Sequence, residues 1–406
     1  MGVGERSAAA VLEDGKGVLR LAPTWVPRSF CVPGRRIKLH PADYYALGGE
    51  RGGIDERWLA STIRADNGPL TGAAEGLSTV VAPGVKDLSL AGAVDSLGAD
   101  LVGTRVWDEH GSWPMYAKFF DNQGPLPYHV HHREEHAALV GRQPKPEAYY
   151  FPPQLNNHGG DLPVSYLGLR PDVDRDDFRS RIEGFGRRDN RITDLSTAFR
   201  LQPGTGWDIP AGVLHAPGSL CTYEPQQASD VFAMCECVNN GRAVPEDLLW
   251  KDVPPERRGD VDFIVELVDW DANVDPDFAR NRFMAPIPMH DDAAAEGLGL
   301  QEQWVVYRSH AFSAKELSVA PGRTVLVRDG GAYGLIVVQG HGTLNGLAVE
   351  SPALIRYGQL TNDELFVSSS AASDGVEIVN RSDRDPLVIL QHFGPGNPAL
   401  PIVEAA

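Results

Sequence analysis

Apolar residues gather in short runs that glycine and proline keep interrupting. "WPMYAKFF" (113–120), "RTVLVRD" (323–329), "AYGLIVVQG" (332–340) and "DPLVILQHF" (385–393) are rich in β-branched and aromatic residues and predict strands. Asn345-Gly346, in "GTLNGLAV", is the strongest short hairpin signal in the chain. Closely spaced strand-and-turn units of this kind predict an all-β architecture of barrels or sandwiches. Helical patterning is sparse. In "RPDVDRDDFRSRIEGFGR" (170–187), Val173, Phe178, Ile182 and Phe185 recur at spacings near three and four, which predicts one short helix. "PEDLLWKDV" (245–253) predicts one or two further turns. An acid- and proline-rich stretch near 270–298 reads as a connection between two units.

A length of 406 residues suggests two or three units, and 42% apolar with 23% charged residues is ordinary for a globular protein. The net charge of −18 argues against nucleic acid or an anionic membrane surface as partner, because both demand a basic footprint. No run approaches the ~18 apolar residues of a membrane span. The N-terminus carries neither a signal-peptide core nor the Ser or Thr of a myristoylation motif, so a cytoplasmic location is expected. Cys31, Cys221, Cys235 and Cys237 have no redox-pair or zinc-knuckle spacing and are expected as buried free thiols.

The densest chemistry lies at 128–136, "YHVHHREEH", which holds four of the twelve histidines. On a strand His129 and His131 share one face, while Tyr128, Val130 and His132 take the other. Two imidazoles on one face can reach a single metal ion through neutral nitrogens. Further ligands must come from elsewhere. "IPAGVLHAPG" (209–218) offers His215 after a turn, and "GRQPKPEAYYF" (141–151) offers Glu147 at the start of an aromatic strand, where it would otherwise pass for a surface residue.

"GPLPYHVHHREEHAALVG" resembles the first metal motif of cupins, an HxH followed by Glu and then Gly. The order of segments more specifically resembles the type I phosphomannose isomerases of the cupin superfamily. These segments are "ERWLAS" (56–61), a Lys-bearing strand running into the metal strand ("YAKFFDNQGPLPYHVHH"), "KPEAYYF" (145–151) and "PAGVLHA" (210–216). The match spans roughly residues 50–255. The C-terminal part matches only as a weak second cupin around "VVQGHGTLNG". The resemblance implies two cupin-type jelly-roll β-barrels with a few short helices. The expected divisions are N-terminal strands over 1–95, a metal-binding barrel over 96–255, a connection over 256–300, and a second barrel without metal ligands over 301–406.

Carried over residue by residue, the resemblance implies His129, His131, Glu147 and His215 as metal ligands. The family usually has Gln at the place of His129. Zn²⁺ is the first expectation for the one divalent ion, and the same donors suit Mn²⁺ or Fe²⁺. The generic cupin pattern would take Glu135 as its acid instead. His132, His136 and Glu135, with Glu134, are otherwise expected at the barrel mouth, in solvent or against substrate. The implied reaction interconverts an aldose and a ketose through a cis-enediol: a base removes the C2 proton and returns it at C1 while the metal stabilises charge on the sugar oxygens. Catalytic candidates are Lys145, Arg242, Lys118 and Glu56.

Two departures bear on substrate. Pro127 stands where the family has a phosphate-holding Ser, and "PED" (245–247) stands where it has "TPK". Both remove attraction for an anion, so a non-phosphorylated or otherwise altered sugar is expected. Two other readings use the same scaffold: a sugar-binding or regulatory cupin without turnover, and an iron-dependent cupin oxygenase. The expected partner is a small sugar, with neither nucleic acid nor membrane, and a homo-oligomer is allowed.

Overall fold

The computed structural model describes residues 6–156 and 163–401. The chain is mostly β, 29% strand against 22% helix. Four expected strands form as Met115–Phe120, Thr324–Val327, Tyr333–Gln339 and Leu387–Phe393. Asn345 and Gly346 both take positive φ, 47° and 86°, and close the hairpin that joins His341–Leu344 to Leu347–Glu350. The expected helix forms as Arg175–Glu183, capped by Asp174 in a reciprocal box with Asp177, and it buries Phe178 and Ile182. The segment 245–253 yields only a 3₁₀ turn, Glu246–Leu248.

Two seven-stranded antiparallel sheets pack face to face. The first runs Phe283–Met284, Gly206–Ile209, Glu147–Tyr150, Thr222–Gln227, Met115–Phe120, Gly53–Leu59, Thr24–Arg28. The second runs Val18–Arg20, Glu364–Val367, Tyr333–Gln339, Leu387–Phe393, Ser313–Val319, Leu300–Val306, Ile287–Pro288. Alternation along the first sheet sends Leu59, Met115, Ala117, Phe119 and Tyr223 into the core shared with Leu317, Leu335, Val337 and Ile389 of the second. Polar ties cross the same interface. Arg57 forms a two-pronged pair with Asp363 at 2.7 and 2.8 Å, and the Tyr223 hydroxyl lies 2.8 Å from His392 Nδ1.

Each large sheet has a smaller partner on its far side. A four-stranded sheet containing Thr324–Val327 and Val376–Asn380 backs the second. A five-stranded sheet, ordered Ala233–Met234, His129–Val130, His215–Ala216, Val164–Leu167, Thr197–Arg200, faces the first. Among the described residues no closed barrel is found, and the strands form two pairs of facing antiparallel sheets. The outer face of the five-stranded sheet is covered by the helices Arg175–Glu183 and Val261–Leu267.

The stretch 256–300, expected as a connection, is more ordered than that. Besides short helices it carries Phe283–Met284, which pairs with the first large sheet, and Ile287–Pro288, which pairs with the second. The N-terminal segment also stitches both, through Val18–Arg20 on the second sheet and Thr24–Arg28 on the first. Three short helices at Leu90–Leu97, Ala99–Val102 and Thr104–His110 have no sequence counterpart in the reading above, because Gly98, Gly103 and Gly111 cut their periodicity into pieces too short to register.

Candidate metal centre

The space between the first large sheet and the five-stranded sheet is lined by residues of one parity. From the large sheet come Glu56, Lys118, Glu147 and Glu224, whose sequence neighbours face the opposite core. From the small sheet come His129 and His131, while Tyr128 and Val130 point outward into the helical layer. His215 sits directly opposite His129 on the adjacent antiparallel strand. One ring nitrogen each from His129, His131 and His215 lies within 4.8 Å of the others.

Glu147 reaches across from the large sheet. Its Oε2 is 2.9 Å from His131 Nε2 and its Oε1 is 3.1 Å from His215 Nε2. It also accepts from Lys145 Nζ at 2.9 Å and from the Tyr149 hydroxyl. Lys145 Nζ is 2.9 Å from His131 Nε2. Lys118 Nζ bridges Glu56 Oε1 and Glu224 Oε1, both at 3.2 Å. Arg28 closes the network, pairing with Glu56 and Asp230 at 3.1 Å each.

The donor set fits a divalent cation. Each imidazole meets a backbone carbonyl at Nδ1: His129 at Pro127 (2.6 Å), His131 at Val231 (2.7 Å) and His215 at Val213 (2.8 Å). A carbonyl only accepts, so each Nδ1 carries the hydrogen and each Nε2 turns its lone pair toward the cluster, with Lys145 Nζ 2.9 Å from that of His131. His215 Nε2 is buried without a hydrogen-bond partner, although a carboxylate oxygen stands 3.1 Å away. Lys145 Nζ serves His131 Nε2 and Glu147 Oε2, but the His215 lone pair and Glu147 Oε1 repel at their distance unless a further cation lies beside them. Residues His129, His131, His215 and Glu147 would hold it, through nitrogen and oxygen donors that suit Zn²⁺.

Burial governs the protonation of the site. It pushes His129 well below the usual imidazole range, helped by His215 and His131. It pushes His131 down to about 3, with Lys145 adding to the effect. Burial alone would raise Glu147, but Lys145 and the two histidines outweigh it and hold the carboxyl well below its ordinary range. Burial also opposes the charge of Lys118, yet Glu224 and Glu56 more than offset this and keep it an ammonium. Glu224 is pushed up to about 8, first by burial and then by the negative charge of Glu147.

Of the residues expected at the site, His129, His131, His215, Glu147, Lys145, Lys118 and Glu56 come together. Others do not. His132 has the opposite pleat parity, so it is buried behind the sheet with Nε2 2.9 Å from the Asp252 carbonyl oxygen. His136 follows it onto the helix Glu134–Leu139 and packs edge-on against Phe263, ring centroids 5.6 Å apart. Glu135 is exposed and pairs with Arg133 at 3.0 Å. His132 and His136 are thus buried away from solvent, while Glu135 stays in it. Arg242 lies outside the buried cluster, exposed on a two-stranded ribbon where it pairs with Asn239. Glu224, Arg28 and Asp230 belong to the network and went unnoticed in the sequence. Register alone would have found Glu224, because it pairs with Lys118 in the antiparallel ladder.

No protein-family model matches the sequence, and no curated protein sequence matches it. Solved structures do. A mannose 6-phosphate isomerase from Bacillus subtilis matches at TM-score 0.58 and 15% identity, over 93% of this chain and 99% of that one. A phosphomannose isomerase variant from Salmonella typhimurium matches at 0.63 and 12%, over 94% and 100%. A zinc-bound mannose 6-phosphate isomerase matches at 0.63 and 12%, over 94% and 100%. At these identities the likeness is one of fold: the chain has the architecture of the type I mannose-6-phosphate isomerases across their whole length.

Proposed function

We propose that the chain is a metal-dependent aldose–ketose isomerase acting on a non-phosphorylated sugar. The observation that carries this reading is the buried cluster itself. Three imidazoles with their Nε2 lone pairs turned inward and one carboxylate converge beside Lys118, Lys145 and Glu224. A divalent cation held there would supply charge stabilisation for sugar oxygens that become negative as the C2 proton leaves. Lys118, kept an ammonium by Glu56 and Glu224, donates hydrogen bonds to the same developing charge. Lys145, 2.9 Å from His131 and Glu147, orients the substrate hydroxyls nearest the cation. Glu224 carries the proton between C2 and C1, since it lies between the two lysines, 3.2 Å from Lys118 and 3.8 Å from Lys145. Glu56 positions Lys118.

The ion pairing supports an uncharged substrate. Arg28 meets Glu56 and Asp230, Lys118 meets Glu56 and Glu224, and Lys145 meets Glu147. Each cation is already paired, so none waits for a phosphate. Pro127 contributes only its carbonyl, to His129. Glu246 is exposed and accepts from the Trp250 indole at 3.3 Å. Initial rates on a panel of free aldoses and ketoses, set against their phosphates, test the reading. A phosphate whose kcat/KM clearly exceeds that of every free sugar would overturn the substrate assignment.

One feature favours a second reading. His129 makes the donor set three imidazoles and a carboxylate, which also suits iron and oxygen chemistry. Oxygen uptake by the iron-loaded protein, without aldose–ketose exchange, would replace the isomerase with an oxygenase.

A further inference from the structure

The cluster is sealed in: His129, His131, His215, Glu147, Lys118, Lys145 and Glu224 are each 5% exposed or less. A sugar cannot reach them unless some part of the wall moves.

Residues 61–78 have the form of an Ω-loop over this wall. The neck is pinned where the Ser78 amide donates to the Ser61 carbonyl and the Ser61 amide to the Ser78 hydroxyl, both at 3.0 Å. Between these points the chain has neither helix nor strand, and Leu70 at its tip is 59% exposed. The loop is braced within itself by Arg64 to the Gly72 carbonyl and by Asn67 to Glu75. On one side it is tied down by Arg51, which pairs with Glu75 at 2.7 Å. On the other it is latched to the site. Asn67 accepts from Arg28 at 2.8 Å and the Asp66 amide donates to Asp230 at 3.2 Å. The Asp66 carboxylate meets Arg142 and Lys251, each at 3.2 Å. Beside the neck lies a cavity of about 520 Å³, lined by Thr62 and Ile63 of the loop and by Gln143, Gln227 and Ala228. Ile63 and Ala228 pack on the Trp58–Tyr116 cluster at the edge of the site.

We infer that residues 61–78 are the gate of the buried site. They turn about the Arg51–Glu75 side when Asp66 releases Arg142, Lys251 and Asp230 and Asn67 releases Arg28, and opening joins the cavity to the metal centre. The Asp66 carboxylate pairs are ionic and partly exposed, so this part of the latch is weak and sensitive to salt. The functional meaning rests on the reading of the cluster as the reaction centre, but the opening itself does not.

Amide hydrogen exchange followed by mass spectrometry on the full chain tests the gate. Asp66→Asn should speed exchange in 61–78 about twofold to tenfold and Arg142→Gln about twofold, with the sheets unchanged. Raising salt should speed it in the native chain and much less in Asp66→Asn. In zinc-loaded protein, stripping by a chelator should accelerate by the same factor. Exchange in 61–78 that ignores both variants and salt would overturn the gate. So would faster exchange with unchanged stripping, which would place the route elsewhere. Exchange needs no bound metal, so a native chain that takes up no zinc counts against the proposed function while exchange still decides the gate.

Discussion

His129, His131 and His215 each spend one ring nitrogen on a backbone carbonyl and leave the other for the centre of the cluster. That division of labour sets what single substitutions should do. His131→Ala and His215→Ala should each lose most bound zinc after dialysis, measured by metal analysis, whereas His136→Ala should keep it, because His136 packs against Phe263 behind the sheet. Equal loss in all three would overturn the ligand assignment. Glu224→Gln keeps the shape and removes the base. It should lower kcat about 100-fold or more with metal content unchanged. How much of this a sequence shows depends on where partners come from. The shared face of His129 and His131 follows from two residues of separation. Glu147 and His215 are visible only through distant matching segments, since nothing local distinguishes them. Glu224 sits alone in "TYEPQQ" and acquires meaning only beside Lys118 on the next strand.

Elements follow the same logic of local against distant causes. The hairpin at Asn345-Gly346 needs two positive φ values, and those two residue types supply them. The helix Arg175–Glu183 carries its own start signal in Asp174, whose side chain accepts from the amides of Asp176 and Asp177. Asp174→Ala should cost about 1 kcal/mol of stability, read as a lower denaturant midpoint with unchanged m-value. Barrel closure has no such local signal. It depends on which distant strands pair, and no local run declares that. The ordered pieces within 256–300 are likewise fixed by the two large sheets they pair with, not by their own propensity.

At the scale of the molecule, the interface between the two large sheets holds the architecture together, and it contains a titratable group. His392 is fully buried there, and burial pushes it down to about 3 from an ordinary 6.5. The folded state therefore favours the neutral ring. Its contribution is complete above pH 6.5 and is lost as pH falls toward 3, where the unfolded chain binds a proton that the folded chain refuses. His392→Gln should flatten the acid limb of stability by roughly 1 kcal/mol per pH unit between those limits. An unchanged limb would place the acid sensitivity elsewhere. The net charge of −18 and the even composition constrain partners but say nothing of this interface, which is why the pairing of the sheets was not legible from them.

The central claim is that a cation held by His129, His131, Glu147 and His215 serves proton transfer on an uncharged sugar. Incubating free aldoses in deuterated water with protein stripped of metal, then reloaded with Zn²⁺, Mn²⁺ or Fe²⁺, tests it most directly. The account predicts deuterium entering the sugar and ketose forming only with reloaded protein, and not with His131→Ala. Sugar binding without exchange in any metal form would contradict it.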